Sequence, residues 1–205
     1  MADHHVITIA RGFGSGGRTM GQMLARELGW SYYDRELLRL ASDDSGINED
    51  FFARADEAFR RTPLFRIASN VFDGQVIPPD RDDFISNENL FRYQAKIIRS
   101  LAESEDCIIV GRCANYILRD MPGVVRLYVH APHDVCVRSV MSMFGMTSDE
   151  ANKTIRDTDK RRADYYRYFT GHDWKDADYY NLCLDSSQLG WDKCIALVKA
   201  YLQAL

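Results

Sequence analysis

The sequence predicts an α/β fold, a parallel five-stranded sheet with helices on both faces, and three observations carry that expectation. Short apolar runs alternate five times with amphipathic segments of helix length. The runs are almost continuously apolar, as strands covered on both sides require. The first run and the first helix are joined by a glycine-rich stretch, Gly12-Phe13-Gly14-Ser15-Gly16-Gly17-Arg18-Thr19.

Taken in order, the strand and helix pairs are Val6–Ala10 with Thr19–Leu28, Ser31–Tyr33 with Arg35–Ala41, and Cys107–Val110 with Cys113–Leu118. Val124–His130 with His133–Met143 and Leu182–Leu184 with Trp191–Leu205 complete the set. Between the second and third strands, residues 42–106 are too long for one crossover. They hold the polar run Ser42–Gly46, an aromatic and charged run from Phe51 to Arg66, the break Pro78-Pro79 and a strong helix over Asn87–Ser104. That helix places Leu90, Ala95, Ile97, Ile98 and Leu101 largely on one face, which reads as core packing. A second insertion, Thr147–Tyr180, opens with acids in its first helical turn, Ser148 serving as N-cap, and carries Arg156, Lys160, Arg161, Arg162, Arg167 and Lys175 among tyrosines.

The 205 residues suffice for one domain with a sizeable core, and a net charge of −4 argues against gripping a nucleic acid polymer. No apolar run reaches the length of a membrane span, and the polar start Met1-Ala2-Asp3-His4-His5 leads straight into a strand, so a cytoplasmic protein is expected. Cys107, Cys113, Cys136, Cys183 and Cys194 show no C-x-x-C spacing and read as buried reduced thiols.

The glycine-rich stretch matches the phosphate-binding P-loop, Gly12-x-x-x-x-Gly17 followed by a cation and a hydroxyl, with Arg18 where lysine is usual. First-turn amides of a helix lack intrahelical acceptors, and the helix dipole favours an anion there. In this reading Gly12, Gly14, Ser15, Gly16, Gly17, Arg18 and Thr19 cradle the donor phosphates of ATP, and Thr19 offers its hydroxyl to Mg²⁺. The same residues satisfy Gly-x-Gly-x-x-Gly with Asp34 about 20 residues on, so a dinucleotide site stays open, as does a plain structural turn.

Val110-Gly111-Arg112 puts an arginine at the C-terminal end of a buried strand, where open α/β sheets bind ligands, and the alternatives are an anion ligand or a structural ion pair. Asp34 also ends a strand; it would orient a nucleoside, pair with Arg35 or Arg39, or cap the next helix. On a helix, Lys160, Asp164 and Arg167 share one face with Arg161 alongside; they form either a solvated face or a set of charges for phosphoryl transfer.

Together Ile7–Arg11, the Gly14–Arg18 loop, Tyr32-Tyr33-Asp34, Ile109–Tyr116, Asp159–Tyr166, Tyr168–Gly171 and Leu184–Ser187 resemble the cytidylate kinase-like branch of the P-loop nucleoside monophosphate kinases. The resemblance implies a single nucleotide-kinase-like domain over 1–205, with a helical NMP-binding insert over about 35–86 and an arginine-rich lid over about 153–178. It implies transfer of the ATP γ-phosphate to CMP or dCMP, with Arg18, Arg161 and Arg167 as catalytic cations and Asp34, Arg112 and Asp164 at the acceptor. Arg156 is a rival for a place in the lid set. Small nucleotides are the expected partners, with a homodimer compatible. A nucleotide-binding regulator on the same fold and a dinucleotide-dependent oxidoreductase are the alternatives.

Overall fold

The computed structural model describes residues 4–58 and 75–205. Part of the Phe51–Arg66 run and of the expected 35–86 insert therefore lies outside the described residues. β1 (Val6–Arg11), β2 (Ser31–Tyr33), β3 (Cys107–Val110), β4 (Val124–His130) and β5 (Leu182–Asp185) form one parallel sheet in the order β2-β3-β1-β4-β5. β3 lies between β2 and β1. A dinucleotide-binding sheet would set β1 beside β2, so this order removes the oxidoreductase alternative that the glycine spacing left open.

The period of two along each strand divides the core. Ile7, Ile9, Ile108, Val110, Leu127 and Val129 turn to one face and pack on α1 (Gly17–Leu28) and α8 (Ser186–Gln203). Val6, Ala10, Cys107, Ile109 and Tyr128 turn to the other. That side is covered by α4 (Asn87–Ser104), α5 (Ala114–Ile117) and the C-terminal half of α7 (Ser148–Thr170). Thr8 shares this second face at 1 % exposure, and its Oγ1 has no hydrogen-bond partner among the described residues. A buried hydroxyl left unpaired costs about 1–3 kcal/mol. Thr8→Val is expected to raise the melting temperature; a lower value would mean that water satisfies the hydroxyl.

The strand boundaries agree with the apolar runs to within one residue, whereas helix starts depend on local capping. α7 is capped by Thr147 rather than Ser148: Thr147 accepts from the Glu150 amide while the Glu150 carboxylate receives the Thr147 N–H. α8 begins at Ser186, with Asp185 accepting from the Ser187 amide, and Gly190 (φ 71°, ψ 167°) breaks it just before Trp191. The cysteines are unpaired; four are buried, but Cys183 on edge strand β5 is exposed, contrary to expectation.

The first insertion begins with α2 (Glu36–Ser45) and α3 (Glu49–Ala58), and residues 75–86 return the chain to α4. The fully buried Asn89 holds that return, accepting from the Ile77 amide and donating to the carbonyls of Ile77 and Phe84. α4 then ties the insertion to α7: Phe91 stacks on Phe169 at 3.9 Å between ring centroids, and Tyr168 donates to Glu88.

Candidate active site

The loop between β1 and α1 is built around left-handed turns at Gly14 (φ 86°) and Gly16 (φ 77°). The Gly12 amide donates to the Val129 carbonyl. Buried Ser15 sends its hydroxyl to the carbonyls of Gly12 and Val129, and Ser186 donates to the Ser15 carbonyl at 2.7 Å. The loop is thus braced by β4 and by the start of α8. The amides of Gly14, Gly16, Arg18 and Thr19 meet no acceptor among the described residues, and neither does the Thr19 hydroxyl. Open amides at a helix N-terminus fit an anion such as a chain of phosphates.

Arg18 lies half exposed at the start of α1 and places its Nε 2.8 Å from Asp34. Asp34 neither caps α2 nor pairs with Arg35 or Arg39; its other oxygen lies 3.7 Å from the Arg11 guanidinium. The carboxylate at the end of β2 therefore holds cations from α1 and β1, which the strand order brings to one edge.

At the end of β3, Gly111 (φ 80°), Arg112 (φ 56°) and Cys113 (φ 56°) are left-handed in succession. For Arg112 and Cys113 this conformation costs of order 1–3 kcal/mol each, a strain typical of a site that needs a particular side-chain direction. The turn aims Arg112 into a cavity of about 540 Å³ at the C-terminal ends of β1 and β3. Arg11, Arg35, Arg112, Arg161 and Arg162 line it, against the carboxylates of Asp34 and Glu49. Five guanidiniums facing two carboxylates form a site for an anion. Burial is the first cause pulling Arg11, Arg112 and Arg162 below the ordinary arginine value, Arg162 to about 9.

α7 closes the site from above. Its first turns pack Ala151 and Ile155 on α6 (His133–Phe144), and its last turns bury Tyr166 and Phe169 in the core. Between these anchors, Asp159 accepts from the Phe13 amide at 2.8 Å, and Arg162 donates to the Arg11 carbonyl at 3.0 Å. Burial raises the Asp159 carboxyl above the usual range, opposed by that amide and by Arg162. The anchored face turns Thr158, Arg161, Arg162 and Tyr165 into the cavity.

The structure brings together Gly12, Gly14, Ser15, Gly16, Gly17, Arg18, Thr19, Asp34, Arg112 and Arg161 at one edge of the sheet. Asp164 and Arg167 are not with them: Asp164 pairs with Lys160 at 2.7 Å, while Arg167 is exposed, as is Arg156. The face that Lys160, Asp164 and Arg167 share turns away from the cavity because Ile155, Tyr166 and Phe169 fix the rotation of the helix. The sequence alone points to no separate role for Arg11 or Asp159, and to Arg162 only as one of the basic residues of the second insertion. For Arg11 the signal was available, since it ends a buried strand just as Val110 does before Arg112.

A family model described as the cytidylate kinase-like family matches residues 6–188. The cytidylate kinase of Methanopyrus kandleri is 25 % identical over 209 residues, covering 98 % of this chain and 94 % of that relative. That of Thermococcus sibiricus is 27 % identical over 109 residues, 52 % of this chain and 55 % of the relative. Among solved structures, an uncharacterized protein from Eubacterium ventriosum has a TM-score of 0.71 at 23 % identity, over 98 % of this chain and 99 % of that one. A shikimate kinase from Acinetobacter baumannii, in complex with shikimate, has a TM-score of 0.50 at 11 % identity, over 99 % and 95 %. These last two similarities concern the fold alone. The family match runs from the first residue of β1 into the first turn of α8, and so spans the loop, the β3 turn and the arginines of α7: the chain belongs to the cytidylate kinase-like family.

Proposed function

We propose that this protein transfers the γ-phosphate of ATP to a nucleoside monophosphate, with CMP or dCMP as the acceptor, within a single domain whose insert and α7 segment enclose that acceptor. The observation that carries this reading is the adjacency of two anion sites: a loop with open amides beside a cavity lined by five arginines. Donor phosphates would rest on the amides of residues 14–19. An oxygen of the acceptor phosphate would attack the γ-phosphorus, forming one P–O bond as the bridge to the β-phosphate breaks and its electrons leave on ADP. The attacking group is already an anion, so no general base is needed; clamping, alignment and fixed positive charge suffice.

The residues present also suit Mg²⁺. Among the described residues no cluster of three acidic, histidine or cysteine side chains could hold a metal alone, while the Thr19 hydroxyl has no partner. Thr19, phosphate oxygens and water are the donor set that this hard cation accepts. When bound, Mg²⁺ supplies charge neutralisation of the donor phosphates. No helix among the described residues is long and apolar enough to cross a membrane.

A coupled assay of ADP release with a panel of monophosphates tests the reading: CMP and dCMP should give the highest kcat/KM. ATP binding without ADP release above background for every acceptor would instead identify a nucleotide-binding regulator. Arg18 serves the donor side in this reading, its guanidinium held beside the loop by Asp34. Arg18→Ala should lower kcat by about 10²-fold, the usual effect of losing one charge-stabilising donor, with little change in melting temperature because the side chain is half exposed. Wild-type turnover would remove Arg18 from the mechanism.

A further inference from the structure

We propose that Arg11, the last residue of β1, is an anion ligand joining the two halves of the site, contacting the transferring phosphoryl group or the acceptor phosphate alongside Arg112. The proposal rests on the phosphotransfer reading and assigns to it a residue outside the loop motif.

The first argument is how the side chain is laid out. A Cβ built on Gly17 would fall 2.7 Å from the Arg11 Cβ, and one built on Gly111 would fall 2.6 Å from the Arg11 Nη1. Two glycines therefore form a track. One is the last of the phosphate loop and leaves room for the stem; the other begins the strained β3 turn and leaves room for the guanidinium. The side chain stretches from the donor loop to the turn that carries Arg112, and it lines the arginine-rich cavity. Its own carbonyl accepts from Arg162, which fixes a second cavity guanidinium relative to it.

The second argument concerns charge. Arg11 has only 17 % of its side chain exposed, and its guanidinium makes no hydrogen bond to a protein acceptor among the described residues. Its counter-ion Asp34 stands 3.7 Å away, whereas Asp34 holds the Arg18 Nε at 2.8 Å. Asp34 is thus engaged first by Arg18, leaving Arg11 a buried cation with donors to spare. An arginine kept in that state is costly unless an anion completes it, and its planar fork suits two oxygens of one phosphate. A purely structural brace would require only the stem and could dispense with the charge.

The test compares wild type with Arg11→Met, which keeps the length of the stem, and Arg11→Lys, which keeps the charge without the fork. Binding of CMP and of inorganic phosphate is measured by calorimetry with the donor loop filled by Mg²⁺ and a non-hydrolysable ATP analogue; kcat and KM are measured separately for CMP and ATP. We expect Arg11→Met to lower kcat/KM for CMP by about 10²–10³-fold and to weaken phosphate binding about tenfold, with the KM for ATP within about threefold of wild type. Arg11→Lys should recover part of both losses. Wild-type phosphate affinity and CMP kinetics in a folded Arg11→Met overturn the proposal. If the methionine variant does not fold, Arg11→Lys decides: weaker phosphate binding by about threefold or more supports the assignment, and wild-type values overturn it. Should the wild-type protein phosphorylate no monophosphate, the phosphotransfer reading fails, and the phosphate measurement still decides whether Arg11 binds an anion.

Discussion

Arg112→Met should lower kcat/KM for the acceptor by about 10³-fold, about 4 kcal/mol of transition-state stabilisation, with the KM for ATP within about threefold of wild type. The expectation rests on where the side chain is aimed. Arg112 is buried at the end of β3 by a turn in which three successive residues are left-handed, and burial pulls its guanidinium below the ordinary value. Without it, an acceptor phosphate in the cavity would lose the donor aimed at it. Methionine meets the same backbone strain as arginine, so the turn itself is not what the substitution perturbs. If Arg112 were the structural ion pair that its sequence position also allowed, loss of the cation would strand a buried carboxylate and destabilise the fold by about 3–5 kcal/mol without singling out the acceptor. Kinetics together with a denaturant titration separate the two: a loss confined to the acceptor side in a folded variant supports the acceptor role, and a drop in stability with acceptor kinetics unchanged rejects it.

Gly14→Ala is expected to abolish the thermal stabilisation by Mg-ATP and to raise the KM for ATP by at least about 10²-fold. Gly14 has φ 86°, and an added Cβ would lie 2.8 Å from the Cys136 carbonyl oxygen and 3.0 Å from Val140 Cγ2. The left-handed conformation costs an L-residue about 1–2 kcal/mol, and overpacking against backbone adds about 1–3 kcal/mol. The loop must move, and moving it disperses the open amides that suit an anion. Gly16→Ala provides the comparison. It too is left-handed (φ 77°), but its Cβ would run into the indole of Trp191, a residue 40 % exposed. A partly exposed ring can yield where a helix carbonyl cannot. Gly16→Ala should therefore be the milder change, and Trp191→Ala should rescue part of it. Equal loss in the two glycine variants would mean that positive φ alone, rather than contact with α6, sets the loop geometry.

Much of this architecture is local in origin. Double-sided burial makes each strand a continuous apolar run, so Cys107–Val110 and Val124–His130 stand out without knowledge of their neighbours. The glycine-rich loop is legible for a similar reason: strand, glycines and helix start are contiguous, and open backbone amides suit an anion whatever the surrounding side chains. The arginines of α7 mark the limit of such reading. Helical spacing shows which residues share a face, but both the 160/164/167 face and the 158/161/162/165 face carry charge. Which one turns inward depends on Ala151 and Ile155 meeting α6 and on Phe169 stacking on Phe91, contacts between segments distant in sequence.

Chain chemistry alone was enough to establish a parallel α/β sheet, a glycine-rich turn after its first strand and an arginine at the tip of its third, because each rests on periodicity or on neighbours within a few residues. The pairing of Arg18 with Asp34, the track that Gly17 and Gly111 leave for Arg11, and the rotation of α7 emerge only once β3 is inserted between β1 and β2 and the helices pack. Those features depend on distances between elements, and packing, not spacing along the chain, sets them.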